Sequence, residues 1–389
     1  MTGEKVIIEC GAIETRAALI RDGRVVRFWF GPASGGEPAD NRPIEGRLFA
    51  GRIRRIDKEL NAAFVDIGAA EDAFLRLKTA SAHSEGAGII VRILARPRRT
   101  KGAVVDFVRT DNEGAAPGRI EHKPAAIEVV DALAGDGADI ITDSADVLSI
   151  LRDHGKDVRR TSGDETKGLF AAYGTDDVLD DALSATVSLP GGGALHFAET
   201  EALVAIDVDT GSASAASSER LREKTIAEAT AEASRQIERR NLSGRIVIDF
   251  PSIRTRSVRT RAVQQIESTL AGIPRVTSTK IAGSNFTTLI RERLGASLWD
   301  ETTEATTDAP APGRRFTLDW LARCAIREVE WRQAAAPGLR LCLHAGNALH
   351  ASLRETAKLT DAYFSRWGVR LEIACDDRIG DRDFEIVER

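Results

Sequence analysis

The chain has 389 residues, which is more than one ordinary hydrophobic core organises, so its length predicts about two to four folding units. Apolar residues make up 42% of it, but no run of about 18 apolar residues could span a bilayer. The net charge of −5 excludes a uniformly basic nucleic-acid coat, although phosphate binding needs only a local cationic surface.

The first 34 residues predict the beginning of an α/β unit. Residues 1–6 lack the apolar stretch and cleavage site of a signal peptide, so we expect a cytoplasmic protein without a membrane segment. Residues 5–30 predict strands paired as hairpins, with Asp22-Gly23 as a turn. The Gly- and Pro-containing stretch from Gly31 to Pro43 then indicates a boundary.

Short strands separated by turns follow, and five of them are typical of a small barrel. They are Leu48–Ile53, Ala62–Ile67, Ala73–Leu77, Ile89–Leu94 and Ala103–Phe107. The polar stretch Asp111–Gly118 predicts a linker, and the alternation of helix-like and strand-like segments from Ile127 to about Leu189 predicts a mixed α/β unit. Gly191-Gly192-Gly193 precedes no helix, so it indicates a hairpin turn rather than a phosphate-binding loop.

The strongest pattern is a strand-helix-strand unit with parallel strands. The apolar strand Leu203–Asp209 leads to a helix from about Ser218 to Arg240, the turn Asn241–Gly244 ends it, and Arg245–Phe250 is a second buried strand. One helix face is predicted to carry apolar and small residues at spacings near four, namely Leu221, Thr225, Ala229, Ala233 and Ile237.

The last part of the chain predicts a linker and a small α/β unit. Residues from Trp299 to Gly313 are rich in Asp, Thr, Ala and Pro. The strand Leu339–His344, one helix from about Ala348 to Trp367 and the strand Val369–Ile373 close the chain.

Three acidic residues lie at the ends of the two parallel strands. Asp207 and Asp249 each follow an apolar strand, and Asp209 lies two residues beyond Asp207 on the same face. The carboxyl ends of parallel strands open on one edge of a sheet, so the acids could share Mg²⁺, which prefers oxygen ligands. The alternative is that they cap the following helix or begin a turn. Mutual repulsion of three acids favours the metal site.

The predicted barrel carries aromatic and cationic residues. Phe64 and Phe74 lie on consecutive strands and are candidate platforms for unpaired bases. The run Arg92–Lys101 contains five cations, including Arg98, Arg99 and Lys101, and no acid. A second cationic run spans residues 254–261. Each feature has an ordinary explanation, because barrels need aromatic filling and charge runs are usually solvated faces.

The cysteines and histidines predict no metal site. The cysteines are scattered without a Cys-x-x-Cys pair, so we expect no structural zinc. They are Cys10, Cys324, Cys342 and Cys375. His196 and the other histidines show no spacing typical of a metal site or of a Ser/His/Asp arrangement.

These motifs resemble the ribonuclease E/G family over nearly the whole chain. The most specific stretches are Glu199–Gly211, Asn241–Gly244 and Ile246–Phe250, in matching order and spacing. Ala63–Gly68, Ala73–Leu75 and Thr100–Ala103 resemble that family's OB-fold RNA-binding domain. Glu14–Ala18 and Leu169–Gly174 resemble its split RNase H-like subdomain.

The resemblance implies an α/β multidomain fold. We expect an RNase H-like subdomain, an inserted OB-fold β-barrel, a DNase I-like α/β catalytic subdomain and a small C-terminal α/β domain. The expected boundaries are 1–34 and 127–200 for the RNase H-like parts, 35–111 for the barrel, 112–126 for a linker, 201–300 for the catalytic subdomain, 301–335 for a linker and connecting helix, and 336–389 for the small domain.

The resemblance also implies the catalytic and binding residues. Asp207 and Asp249 become the catalytic acids that bind Mg²⁺, with Mn²⁺ as an alternative. Asp209, a third candidate catalytic residue, stands where the family usually has Asn. Arg291 and Arg293, expected on a helix, join Phe64, Phe74, Arg98, Arg99 and Lys101 as candidate RNA-binding residues.

Three departures from the family pattern limit this transfer. The short linker leaves no room for the 5′-monophosphate sensor subdomain, so we expect no preference among RNA 5′ ends. The paired zinc-link cysteines are absent, so we expect a monomer or homodimer rather than a zinc-linked tetramer. Residues Lys280–Phe286 lack the usual Arg-Phe-Gly element.

The sequence therefore predicts an endoribonuclease that cuts single-stranded RNA with a metal-activated water. Two rivals remain open. One is a shortened, non-catalytic RNA-binding paralogue, which the missing Arg-Phe-Gly element favours and the retained aspartates oppose. The other is a metal nuclease that acts on DNA or structured RNA.

Overall fold

The structure of the protein is a computed structural model. It describes residues 3–33, 42–77, 83–97, 101–111, 114–120, 123–135, 137–161, 168–200, 202–211, 219–252, 255–282, 286–293, 295–306, 313–356 and 359–388.

These residues form a multidomain α/β structure with five sheets. The strands are β1 Glu4–Cys10, β2 Glu14–Arg21, β3 Arg24–Pro32, β4 Leu48–Asp57, β5 Ala62–Asp66, β6 Ala73–Arg76, β7 Gly88–Ala95, β8 Val104–Thr110, β9 Gly118–Arg119, β10 Asp139–Thr142, β11 Val158–Arg160, β12 Thr186–Ser188, β13 Ala194–Glu199, β14 Val204–Asp209, β15 Gly244–Asp249, β16 Val276–Ala282, β17 Phe286–Arg291, β18 Thr303–Thr306, β19 Gly313–Phe316, β20 Leu341–Ala345, β21 Glu372–Cys375 and β22 Phe384–Glu388.

Ten helices accompany these strands in the described ranges. They are α1 Ala125–Leu133, α2 Ala145–Asp153, α3 Gly168–Ala172, α4 Thr175–Leu183, α5 Glu219–Arg239, α6 Arg256–Ala271, α7 Leu298–Thr302, α8 Leu318–Ala335, α9 Asn347–Glu355 and α10 Leu359–Trp367. Within the described residues, none of them combines the length and the apolar composition needed to cross a membrane.

The first sheet is assembled from two separate parts of the chain. Its order is β11-β10-β1-β2-β3, with β1, β2 and β3 antiparallel and with β10 and β11 added in parallel. The predicted turn at Asp22-Gly23 is confirmed, since both residues have positive φ. Side chains of β1 alternate between two cores: Val6 and Ile8 pack with α1 and α2, whereas Ile7 packs with α3 and α4. Burial on both faces explains the continuous apolar run of this strand.

The barrel is inserted between β3 and α1. Strand β4 pairs with β5 and β7, β8 joins β7 to β6, and β6 pairs with β5, so the five predicted strands close into a barrel. A Cβ on Gly102 would lie 1.9 Å from the carbonyl oxygen of Asp72, which explains glycine at this closure. A short sixth strand, β9, pairs antiparallel with β4 at Phe49 and Ala50, and it lies within the stretch that the sequence predicted to be a linker.

Buried and half-buried ion pairs fix the barrel to the rest of the molecule. Arg47 and Arg119 both bind Glu128 on α1, at 2.6 and 2.7 Å. Arg96 binds Glu45 at 3.0 Å and Glu301 at 2.8 Å. Because removal of one partner would leave a buried charge uncompensated, these contacts define the orientation of the barrel.

The second sheet contains the predicted strand-helix-strand unit. Its order is β12-β13-β14-β15-β17-β16, and β14 and β15 are parallel neighbours linked by α5. Helix α5 packs through Ile226, Ala229, Ala233 and Ile237. The predicted position of Leu221 in this face is wrong, because 36% of its surface is exposed at the first turns of the helix.

The end of α5 follows from the turn sequence. Asn241 has a positive φ of 51°, its N–H donates to Glu238 O, and Leu242 N–H donates to Ile237 O. These two bonds form a Schellman termination, which satisfies the last carbonyls of the helix and redirects the chain into β15.

Three predicted elements differ from the structure. Arg291 lies at the end of strand β17 rather than on a helix, because Thr287, Leu289 and Arg291 face the core in strand alternation. The predicted linker after Trp299 contains α7 and the hairpin β18-β19. The predicted helix from Ala348 to Trp367 is two helices, since α9 ends at Glu355 and Thr356 is not helical.

The small C-terminal unit forms the sheet β21-β20-β22. Its last predicted strand is β21, which begins at Glu372 rather than at Val369. Leu341, Leu343 and Ala345 of β20 pack with Ile326 and Val329 of α8 and with further apolar residues of α9 and α10. The same cluster includes Ala12, so the first and last parts of the chain share a core.

A buried carboxyl next to β10 generates a prediction about stability. Asp143 accepts a hydrogen bond from Cys10 N–H at 3.1 Å, and its pKa is raised from 3.8 to about 7, first by burial and then by the charge of Glu9. The folded state favours the protonated form of Asp143. The contribution of this carboxyl to the free energy of unfolding is therefore complete below pH 3.8 and is lost as the pH rises to about 7.

We expect Asp143→Asn to remove this loss while keeping the acceptor for Cys10 N–H. Between pH 4 and pH 7, the unfolding free energy of the variant relative to wild type should rise by up to ~1.4 kcal/mol per pH unit and then level off. Denaturant unfolding at several pH values measures it. Asp153→Asn, at the exposed end of α2, is the control and should keep the wild-type pH dependence. Identical pH dependence in Asp143→Asn would contradict the burial of this charge.

Candidate active site

The two strand-end aspartates lie side by side. Asp207 on β14 and Asp249 on β15 are register partners in the parallel pair. Neighbouring strands are about 4.8 Å apart, and residues in register project from the same face. The sequence prediction that these two acids are neighbours is therefore consistent with the register of the sheet.

Both acids project from a face of the sheet that α5 and α6 do not cover. Val204, Ile206 and Val208 of β14 are buried against these helices, as are Ile246 and Ile248 of β15. The alternate positions carry the acids, so Asp207 is exposed and Asp249 is half-buried. The site is thus an open sheet face near the strand ends, which a long chain could approach.

The electrostatics of the pair favour a bound cation. The pKa of Asp249 is raised, first by partial burial and then by the negative charge of Asp207. Two carboxylates held this close repel each other when both are ionised. A divalent cation between them would remove that repulsion.

Asp209 has a local role in the structure. Its Oδ1 accepts a hydrogen bond from Gly211 N–H at 2.8 Å, which forms the turn after β14. Among the described residues, no group of three His, Cys, Asp or Glu side chains is placed to hold a metal ion. The hydrogen bond gives Asp209 a role in the turn, and its role as a third metal ligand stays a prediction. Mg²⁺ commonly uses only one or two carboxylates and retains waters.

A histidine lies beside the two acids, and no spacing in the sequence revealed its position there. His196 on β13 is the register partner of Asp207, and its Nδ1 lies 3.0 Å from Thr186 Oγ1. The adjacency depends on the antiparallel pairing of β13 with β14. The outward position of His196 in an alternating strand was the only signal for it in the sequence.

The barrel aromatics are on its outer surface. Phe64 and Phe74 are register partners on β5 and β6, and their rings meet edge to face at 6.0 Å. Both are half-buried and lie outside the barrel core, which contains Ala63 and Val65. The guanidinium of Arg55 lies 4.4 Å from the Phe64 ring centroid.

The predicted cationic residues have different environments. Arg98 and Arg99 lie outside the described residues, while Lys101 and Arg293 are at the surface. Arg291 is only 5% exposed and donates hydrogen bonds to Leu242 O at 2.7 Å, to Pro274 O and to Asn241 Oδ1. These contacts join β17 to the turn after α5, so the buried guanidinium of Arg291 has a structural role in this fold.

Comparison with known proteins identifies a family for this site. The sequence profile of the ribonuclease E/G family matches residues 69–293, more than half of the chain, and this span includes both aspartates. Ribonuclease G of Haemophilus influenzae is 36% identical over 102 residues, which are 25% of this chain and 20% of that protein.

Two ribonucleases E are also similar. The Escherichia coli K12 protein is 30% identical over 182 residues, covering 43% of this chain and 17% of that protein. The Haemophilus influenzae protein is 24% identical over 361 aligned residues, and the match covers 65% of this chain and 38% of that protein. The match spans less than two thirds of each of these three relatives.

The outward position of the barrel rings leads to a prediction about binding. Phe64→Ala or Phe74→Ala should weaken the binding of single-stranded RNA by ~1 to 3 kcal/mol, because a stacking surface is lost. Fluorescence anisotropy with a labelled oligonucleotide measures this, and thermal unfolding reports stability. Val65→Ala in the barrel core is the control and should lower stability while keeping affinity per folded molecule. The same outcome for the Phe variants would identify them as structural residues.

Proposed function

Because the chain belongs to the ribonuclease E/G family, we propose that it is a Mg²⁺-dependent endoribonuclease that cuts single-stranded RNA. The observation that carries this proposal is the pairing of Asp207 with Asp249 on an open sheet face, inside the segment that matches the family. An open face suits a polymer that must be cut internally, because neither end of the chain has to enter a closed pocket.

Asp207 and Asp249 are the residues that would hold the cation in this proposal. Their carboxylate oxygens are ligands that Mg²⁺ prefers, and Mn²⁺ has similar preferences. When bound, the cation would activate water and stabilise charge on the phosphoryl oxygens. The raised pKa of Asp249 supports the assignment, since the neighbouring negative charge of Asp207 is what a cation offsets.

The subdomains inferred from the sequence form part of the proposal. The sheet shared by β1–β3 and β10–β11 supports a split RNase H-like subdomain at 1–34 and 127–200. The closed barrel supports an OB-fold RNA-binding insertion at 35–111. The sheet that carries the acids supports a DNase I-like catalytic subdomain. Because this sheet includes β12 and β13, the subdomain begins at about Thr186 rather than at the expected residue 201.

A shortened RNA-binding paralogue is the second candidate function. It is favoured by the absence of the Arg-Phe-Gly element in Lys280–Phe286, of which residues 283–285 lie outside the described residues. Asp209 in place of the family's usual Asn is a further departure. Both candidates share the RNA-binding barrel and differ in turnover.

We expect Asp207→Asn and Asp249→Asn each to reduce the rate of RNA cleavage by at least about 100-fold. Mutation of residues that only support a metal ligand can already cause a loss of about that size, and these two residues would be the ligands themselves. RNA affinity should stay nearly unchanged, because binding depends mainly on the barrel and cationic surfaces. Cleavage of a labelled single-stranded oligonucleotide with and without Mg²⁺ measures the first quantity, and anisotropy measures the second.

Glu267→Gln is the matched control for these variants. Glu267 is an exposed acid on α6, which packs against the opposite face of the same sheet, so this variant should cut RNA at the wild-type rate. Robust cleavage by Asp207→Asn or Asp249→Asn, or by wild type in excess chelator, would contradict the proposed mechanism.

A further inference from the structure

An aromatic side chain extends the row of residues that contains the two acids. Phe286, the first residue of β17, is the register partner of Asp249. Asp249 pairs with Asp207, and Asp207 pairs with His196. Four neighbouring strands therefore place His196, Asp207, Asp249 and Phe286 in one line on the same face of the sheet.

The packing of the sheet does not account for this phenylalanine. Half of its surface, 50%, is exposed, which makes it the most exposed aromatic residue in the described ranges. Thr287 and Leu289 are buried on the helix-covered side of β17, whereas Phe286 and Ile290 face outward. Its register partners are Asp249 on β15, which carries a carboxylate, and the small residue Ala282 on β16. An isolated exposed apolar residue is common, but here Phe286 is the register partner of Asp249, one of the two acids proposed to be catalytic.

The distances along the row match the parts of one nucleotide. Strands lie about 4.8 Å apart, so Phe286 is about 5 Å from Asp249 and about 10 Å from Asp207, measured along the sheet. A nucleobase is joined to its phosphate through a single sugar. A base lying against the Phe286 ring would therefore place its own phosphodiester over the acid pair.

We propose that Phe286 is the stacking platform for the nucleobase adjacent to the scissile phosphate, an inference that rests on the proposed nuclease function. Stacking on a ring requires an unpaired base with an accessible face, and every base has such a face. Phe286 thus selects single-stranded RNA at the site of cleavage itself, independently of the barrel, and it does so with little preference for base identity.

Substitution of the ring tests the platform. Phe286→Ala should lower kcat/KM for a single-stranded RNA oligonucleotide roughly 5- to 150-fold, the range expected for loss of one stacked base. Phe286→Trp should restore most of the rate, whereas Phe286→Leu, which is apolar but has no ring, should not. Ile290→Ala is the matched control, because Ile290 is 43% exposed on the same strand and face and lies outside the row. It should cut RNA at the wild-type rate.

An abasic substrate distinguishes stacking from a structural role. A series of oligonucleotides carries one abasic nucleotide at each position around a single cleavage site. For wild type, one abasic position next to the cut should reduce kcat/KM by the factor that Phe286→Ala causes. In Phe286→Ala, the same abasic position should have almost no further effect, because the partner of that base is already absent.

The outcomes separate this inference from the proposed function. Absence of cleavage by wild type in Mg²⁺ would overturn both. Cleavage by wild type together with a normal rate for Phe286→Ala would overturn only the platform. The platform would also be overturned if Phe286→Ala slowed the cleavage of every substrate by the same factor, the abasic series included. A loss of rate explained by a lower melting temperature of Phe286→Ala would overturn it as well.

Discussion

The parallel register of β14 and β15 is the constraint on which the candidate site depends. It sets Asp207 against Asp249, and a shift of one residue would turn either acid toward the helix-covered face. Apolar burial prevents that shift, since Ile206 and Ile248 occupy the core positions directly before the acids. Burial of these apolar side chains thus holds the carboxylates of Asp207 and Asp249 next to each other on the opposite face of the sheet.

Helix α5 and its termination supply this register. The apolar face of α5 packs on the sheet, and the Schellman turn at Asn241 directs the chain into β15. Together they fix the position along the sheet at which β15 begins. Arg291 joins this turn to the loop between α6 and β16, because its buried guanidinium donates to Leu242 O in the turn and to Pro274 O in the loop. Burial lowers the pKa of Arg291 to about 10, and the charge of Arg27 adds to this effect. Arg291, which the sequence suggested as an RNA contact, is therefore a structural residue of the sheet.

The sequence was informative where a pattern is local. The apolar strand before Asp207, the helix of twenty-one residues and the turn before β15 all have their own signals, so this unit was predicted with its parallel direction. The five barrel strands and the Asp22-Gly23 turn have such signals as well.

Features that depend on strand order had no such signal. His196 and Phe286 lie next to the acids only because β13 and β17 are the neighbours of β14 and β15, and no spacing along the chain encodes that order. The helix predicted at Arg291 is a strand because burial of alternate residues outweighs local preference. The Thr- and Pro-containing stretch after Trp299 looked like a linker, yet β18 and β19 pair across it.

Cleavage of three substrates of one sequence tests the proposed nuclease function most directly. The substrates are single-stranded RNA, duplex RNA and single-stranded DNA, each with Mg²⁺ and with excess chelator. We expect internal cuts in single-stranded RNA alone, and only when Mg²⁺ is present. Tight binding of single-stranded RNA without any cut in Mg²⁺ or Mn²⁺ would contradict it and favour the RNA-binding paralogue. Equal cutting of DNA would contradict the assignment to RNA.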